Sequence, residues 1–265
     1  MKTRVEGFLI AVQFFTAIPV KKSFDMDPKR VSYAVRSLPL TGIILGLMMM
    51  AALWGMKTFS PFSDLASAFF VWILAIILTG GLHLDGWMDA SDAYFSYRDK
   101  EKRLEIMKDP RTGAFGVLSV LVLLSARFLF IYEITVRLEW MDYFLAAVIP
   151  LLSRIGMGIL LACVPPAKKE GLASFFHRGL DKRKVLLVFS GWIVGAAVLF
   201  YAAEPMLGTF FLSLVLLLFC FTAVAGFFIV KQFNGVTGDL LGASAEGGET
   251  VLWMGLWLLH YFAMA

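Results

Sequence analysis

Six stretches of about twenty residues, 37–56, 65–84, 114–136, 143–164, 185–203 and 206–230, are almost without charge. Each matches the length that carries an α-helix through the hydrocarbon core of a bilayer, roughly 20 residues at 1.5 Å each. A soluble domain of 265 residues could not bury so much apolar surface. With 59% hydrophobic and 17% charged residues and a mean hydropathy of +0.78, the chain is expected to be all-α: a polytopic integral membrane helical bundle of six to seven transmembrane helices.

Two further apolar runs are short. Residues 8–20 (FLIAVQFFTAIPV) lead into Pro19 and the Lys21-Lys22 pair, not into a small-residue cleavage site, so an N-terminal interfacial or re-entrant helix is expected and not a signal peptide. Residues 251–264 are too short to cross alone, but a helix running from about 239 to 263 makes them the inner part of a seventh span. Cys163 and Cys220 lie in separate spans and read as buried small apolar residues, with no disulfide framework. No internal repeat or low-complexity linker divides the chain, so 1–265 reads as a single membrane domain.

Loop charge gives an orientation. The first 36 residues carry seven Lys or Arg, residues 93–113 six and residues 165–184 six; the loops between hold Lys57 alone, Arg137 alone and none at 202–205. This strict alternation predicts a cytoplasmic N-terminus. The net charge of +4 is thereby a topology signal and gives no reason to expect a nucleic-acid partner. The partner it implies is the lipid bilayer, and a homo-oligomer stays open.

Against this apolar background stands GGLHLDGWMDASD, residues 80–92. On a helix, Asp85, Asp89 and Asp92 fall at i, i+4 and i+7, on one face. Three like charges there repel unless a cation holds them, and oxygen-only ligands favour Mg²⁺, Mn²⁺ or Ca²⁺ over zinc. A second acidic set, Asp239 and Glu246, also seven apart and followed by Glu249, is predicted on the same cytoplasmic boundary, so the two faces can meet. One aspartate at a helix end is ordinarily a solvated interface residue; two clusters flanked by glycines point to a divalent-metal site.

Basic residues follow. Lys100, Lys102 and Arg103 read as positive-inside anchors, whereas Lys108 and Arg111, next to the glycine-rich helix start at Gly113, are candidates for phosphate oxygens. Arg127 and Arg154 fall inside spans, where ionisable groups need a partner or a polar cavity; Glu133 is a candidate partner for Arg127. His83 beside Asp85 would suit a general base, though a hydrogen-bonded helix-end histidine is the plainer reading. No Walker loop, HxxxH pair or serine nucleophile elbow is present. Carboxylates for a divalent ion with basic groups for phosphates imply phosphoryl- or nucleotidyl-type transfer at the membrane surface. The logic is like that of CDP-alcohol phosphotransferases, but their DGxxAR spacing is missing.

Three segments together, GGLHLDGWMDASDA, RLEIMKDPRTGAFGVL and NGVTGDLLGASAE, resemble the cobalamin synthase (adenosylcobinamide-GDP ribazoletransferase) family over essentially the whole chain, in order. The resemblance implies a Mg²⁺-dependent enzyme of the bacterial cytoplasmic membrane, multi-pass, with its active site on the cytoplasmic side. It would join adenosylcobinamide-GDP to α-ribazole or α-ribazole 5′-phosphate, giving adenosylcobalamin or its 5′-phosphate and GMP. Carried onto this chain, the motifs imply catalytic roles for His83, Asp85 and Asp89. They imply substrate binding by Lys108, Arg111, Gly113, Asn234 and Thr237, to which Arg154 is added as an intramembrane charge expected in a polar cavity, and metal binding by Asp85, Asp89, Asp92, Asp239 and Glu246. Two departures stand out: the family often has FxTR[IL]P where this chain has Phe15, Thr16, Ala17, Ile18 and Pro19, and LADTAD where it has Trp87, Met88, Asp89, Ala90, Ser91 and Asp92. The rival readings are a small membrane transporter, which midmembrane charges would suit, and a CDP-alcohol-type phosphotransferase.

Overall fold

In a computed structural model, described from Lys2 to Ala263, helices account for every named element. In chain order they are α1 (Lys2–Phe15), α2 (Pro28–Arg36), α3 (Leu38–Phe59), α4 (Asp64–Thr79), α5 (Leu82–Phe95), α6 (Lys100–Ile106), α7 (Ala114–Val136), α8 (Trp140–Cys163), α9 (Leu172–Arg178), α10 (Lys182–Ala203), α11 (Pro205–Phe233) and α12 (Gly238–Ala263). Five of them, α3, α7, α8, α10 and α11, are long and apolar enough to cross a membrane, and the bent pair α4–α5 can supply a sixth crossing. The 26 residues of α12 extend for about 39 Å, enough to cross despite its acids. The terminal apolar run is therefore one helix with the acidic segment before it.

Local chemistry sets the boundaries. Asp27, Ser63 and Asp99 accept backbone N–H groups at the starts of α2, α4 and α6, satisfying donors that a helix start leaves open. Pro205 occupies the first turn of α11, where its missing N–H costs nothing. The first N-terminal run forms the 14-residue helix α1, packed on α2.

At the centre is α8, buried along nearly its whole length from Leu145 to Ala162. Gly42 and Gly46 of α3 lie on its backbone at Leu151 and Ala147, the close approach that lets apolar helices gain dispersion energy without a hydrophobic drive. Outward faces of α7 and α10 expose Leu121, Val122, Leu187, Val194 and Val198, apolar surface that a bilayer covers. Cys163 and Cys220 are likewise free and exposed, which corrects the expectation that they are buried core residues. Cys163 is the last residue of α8, beyond its buried length, and Cys220 lies off the buried stripe of α11.

The stretch 65–84, expected as one span, is not a single straight helix. Helix α4 stops at Thr79, and α5 sets off at 86° to it. Gly80 and Gly81 have φ of 65° and 74°, a left-handed conformation open to glycine at little cost. The acidic motif thus leaves at nearly a right angle to α4 instead of extending it in line.

Candidate active site

The break at Gly80–Gly81 presents α5 to the start of α12. Their crossing is made by two glycines. A Cβ on Gly86 would stand 2.6 Å from the Asp239 carbonyl oxygen, and one on Gly242 would stand 3.2 Å from the His83 Cα. A side chain at Gly86 would collide with backbone and one at Gly242 would be tight, so the first acidic motif and the second meet backbone to backbone. Thr237 fixes the start of α12, its hydroxyl accepting from Leu240 N at 3.2 Å and donating to Asp239 Oδ2 at 3.4 Å. Asp239 in the first turn also gains from the positive end of the helix dipole.

Two neighbouring segments close the site. The loop after α8 pairs with the chain before α12: Ala167 N donates to Val236 O and Val236 N to Pro165 O, both at 2.9 Å. This bridge holds Lys168 beside the cavity, where its Nζ donates to Leu104 O at 2.8 Å. Burial first, and then the charge of Lys108, push the Lys168 ammonium below the usual lysine range. Two lysines at one place with no carboxylate hydrogen-bonded to Lys168 form a ready partner for an anion.

The cavity so enclosed measures about 280 Å³. Its charged and polar lining includes His83, Asp85, Lys108, Lys168, Thr237 and Asp239, and its apolar lining includes Phe14, Phe15 and Phe176 with Met157 and Leu161. His83 is buried and its Nε2 has no hydrogen-bond partner among the described residues. Basic and acidic groups therefore converge on a single space, walled on one side by rings.

Of the residues singled out from sequence, His83, Asp85, Lys108, Thr237 and Asp239 are gathered here. Asp89 lies one turn further along α5, half-buried and outside the lining. Asp92 accepts from Gly113 N at 2.6 Å and Gly116 N at 2.7 Å; both its oxygens cap α7, whose glycine N-cap has no side chain to do so. Gly113 contributes that amide and does not line the cavity. Arg111 is exposed and bound to Asp109 at 2.6 and 2.9 Å, an ion pair that holds Asp109 at about 2. Asn234 is exposed and ends α11 with φ 63°, a backbone task that asparagine tolerates.

Glu246 is placed elsewhere. Its Oε2 lies 2.7 Å from Arg127 Nη2, while Arg127 Nε donates to Thr250 at 3.0 Å, and Arg154 Nη1 lies 3.3 Å from Glu249. These two arginines and two glutamates are buried between α7, α8 and α12, so each offsets a charge that would be costly alone in the bilayer. The pairing removes Glu246 and Arg154 from the cavity, and it gives Arg127 partners on α12 in place of Glu133.

Among the described residues, no three His, Cys, Asp or Glu side chains close around one point. Asp85 and Asp239 still offer carboxylates from two helices in contact. That is a partial donor set of the kind Mg²⁺ uses, since it keeps waters and takes substrate phosphates alongside one or two protein carboxylates. Lys168 and the three phenylalanines escaped the sequence reading. Lys168 looked like one more positive-inside residue, and its only signal was the Pro165-Pro166 step before it.

Fold and site together define a polytopic helical membrane protein with a charged, aromatic-walled cavity at one end of the bundle. Within that class, the chain belongs to the family described as cobalamin-5-phosphate synthase, whose model matches residues 7–257. It is 43% identical over 268 residues to an adenosylcobinamide-GDP ribazoletransferase of Geobacillus sp. (strain WCH70), covering all of both chains. It is 41% identical to the protein of that name in Geobacillus thermodenitrificans (strain NG80-2), again over the whole of both. To that of Clostridium botulinum (strain Langeland / NCTC 10281 / Type F) it is 32% identical, over 94% of this chain and 96% of the relative. No solved structure matches.

Proposed function

We propose that this protein is the transferase that completes the nucleotide loop of cobalamin, joining adenosylcobinamide-GDP to α-ribazole or its 5′-phosphate and releasing GMP. The observation that carries the site assignment is that Lys108 and Lys168 line the same cavity as Asp85 and Asp239. The lysines take the diphosphate oxygens of the donor. Asp85 and Asp239, with Asp89 one turn away, are the residues that would hold Mg²⁺, which would supply charge neutralisation at the diphosphate.

The acceptor's ribose hydroxyl attacks the phosphorus next to the cobinamide. A new P–O bond forms, the bond to the bridging oxygen breaks and GMP leaves. His83, buried at the cavity wall with Nε2 free, takes the hydroxyl proton. Positioning does most of the rest, because phosphoryl transfer asks little covalent chemistry of the protein. The alternating loop charges support a cytoplasmic active site in a bacterial cytoplasmic membrane.

Purified protein in liposomes should convert adenosylcobinamide-GDP and α-ribazole to the corrinoid product and GMP only with Mg²⁺, and Asp85→Asn and Asp239→Asn should each lower turnover at least 10²-fold. Full turnover in excess chelator would remove the metal from the mechanism; wild-type rates in either variant would remove that residue from the site.

A further inference from the structure

The aromatic side of the cavity has a geometry of its own. Phe14 and Phe176 meet edge to face with centroids 5.8 Å apart, Phe15 tilts onto Phe176 at 5.9 Å, and Phe15 lies nearly parallel to His83 at 6.3 Å. These rings come from α1 and α9, apart from the acidic motif, and all of them line the cavity.

We propose that this wall seats the aromatic base of the acceptor, the methylated benzimidazole of α-ribazole, an inference that rests on the reaction proposed above. Size points the same way. A cavity of about 280 Å³ is at the small end of the range for ligand sites; it has room for a nucleoside, whereas a corrinoid has to stay at the mouth.

Polarity separates the acceptor's base from the guanine of the donor. The same lining includes the side chains of Met157 and Leu161, which supply no hydrogen bonds, and the Ser174 hydroxyl on the ring-bearing helix already donates to Lys169 O at 2.8 Å. Guanine has several polar edge atoms that would lose water there without replacement, a loss that costs binding. The benzimidazole edge is almost all carbon and stacks without that loss. With the base on the phenylalanines, Lys108 and Lys168 of the same lining are left for the phosphates. Since Phe15 lies along His83, the attached ribose comes to the residue that takes its proton.

The test is kinetic, with Phe15, which is half-buried, as the probe. Phe15→Leu should raise KM for α-ribazole about tenfold, leave KM for adenosylcobinamide-GDP and kcat within about twofold, and Phe15→Tyr should restore the wild-type KM. A rise in the donor's KM instead would place guanine on the wall and overturn the proposal. So would an unchanged KM for α-ribazole in Phe15→Leu, or a fall in kcat shared by both variants with both KM values unmoved. Equilibrium dialysis of α-ribazole against wild-type and Phe15→Leu protein separates the two layers. Tight binding lost in the variant, without turnover in the wild type, would sustain the base seat and refute the reaction. Neither binding nor turnover in the wild type would refute both.

Discussion

Lys168 gains its meaning from its neighbours. Partly buried and close to Lys108, it releases its proton more readily than an ordinary lysine, and an anion between the two would favour the charged form of both. Lys168→Ala should raise KM for adenosylcobinamide-GDP about tenfold while leaving KM for α-ribazole unchanged, in steady-state assays varying each substrate. The sign of the pH dependence follows: donor affinity weakens as pH rises through the lowered Lys168 value, below the ordinary lysine value of about 10.4. Asp92 shows where single-residue reading stops. Its spacing from Asp85 and Asp89 put it correctly on one helix face, yet the amides of Gly113 and Gly116, 21 and 24 residues on, make it a cap. Periodicity assigns a face; only tertiary structure supplies what that face touches.

Among the elements, α5 and α12 carry the site because each has a glycine at their crossing. Gly86→Ala would force its Cβ to within 2.6 Å of the Asp239 carbonyl and 2.8 Å of its Cα, backbone atoms that cannot rotate aside. The helices must then separate, at a cost of about 1–3 kcal/mol, and Asp85 moves away from Asp239. The expected outcome is loss of most turnover with helix content retained, read by activity and circular dichroism side by side; full activity would show the crossing to be loose. The helices themselves were legible in the sequence, since twenty uncharged residues have few alternatives. The right-angle break after Thr79 was not, because an apolar run through LTGGLHL reads as one span. Only the doubled glycine hinted at it, by permitting a left-handed turn without requiring one.

For the whole molecule, loop charge and cavity position lead to one topological expectation. Ser96 caps the C-terminal end of α5; as Ser96→Cys, with Cys163 and Cys220 replaced by alanine, it should resist an impermeant maleimide in intact cells and react after permeabilisation. Ready labelling from outside would invert the orientation. A transporter would carry its charges along a path at mid-bilayer, whereas here the midmembrane charges are spent on each other, Arg127 with Glu246 and Arg154 with Glu249. The open polar groups gather at one end.

That quartet also bears on how the protein is made. Arg127 and Arg154 leave the ribosome and enter the bilayer well before α12, and each is a penalty of about 2.5–3.5 kcal/mol at the centre of a helix. Their counter-charges arrive only with the last helix, which is also the one that brings Asp239 to Asp85. The last helix of the chain thus carries both the counter-charges of the two arginines and the second carboxylate of the cavity, so charge balance inside the bundle and completion of the candidate site fall to a single element.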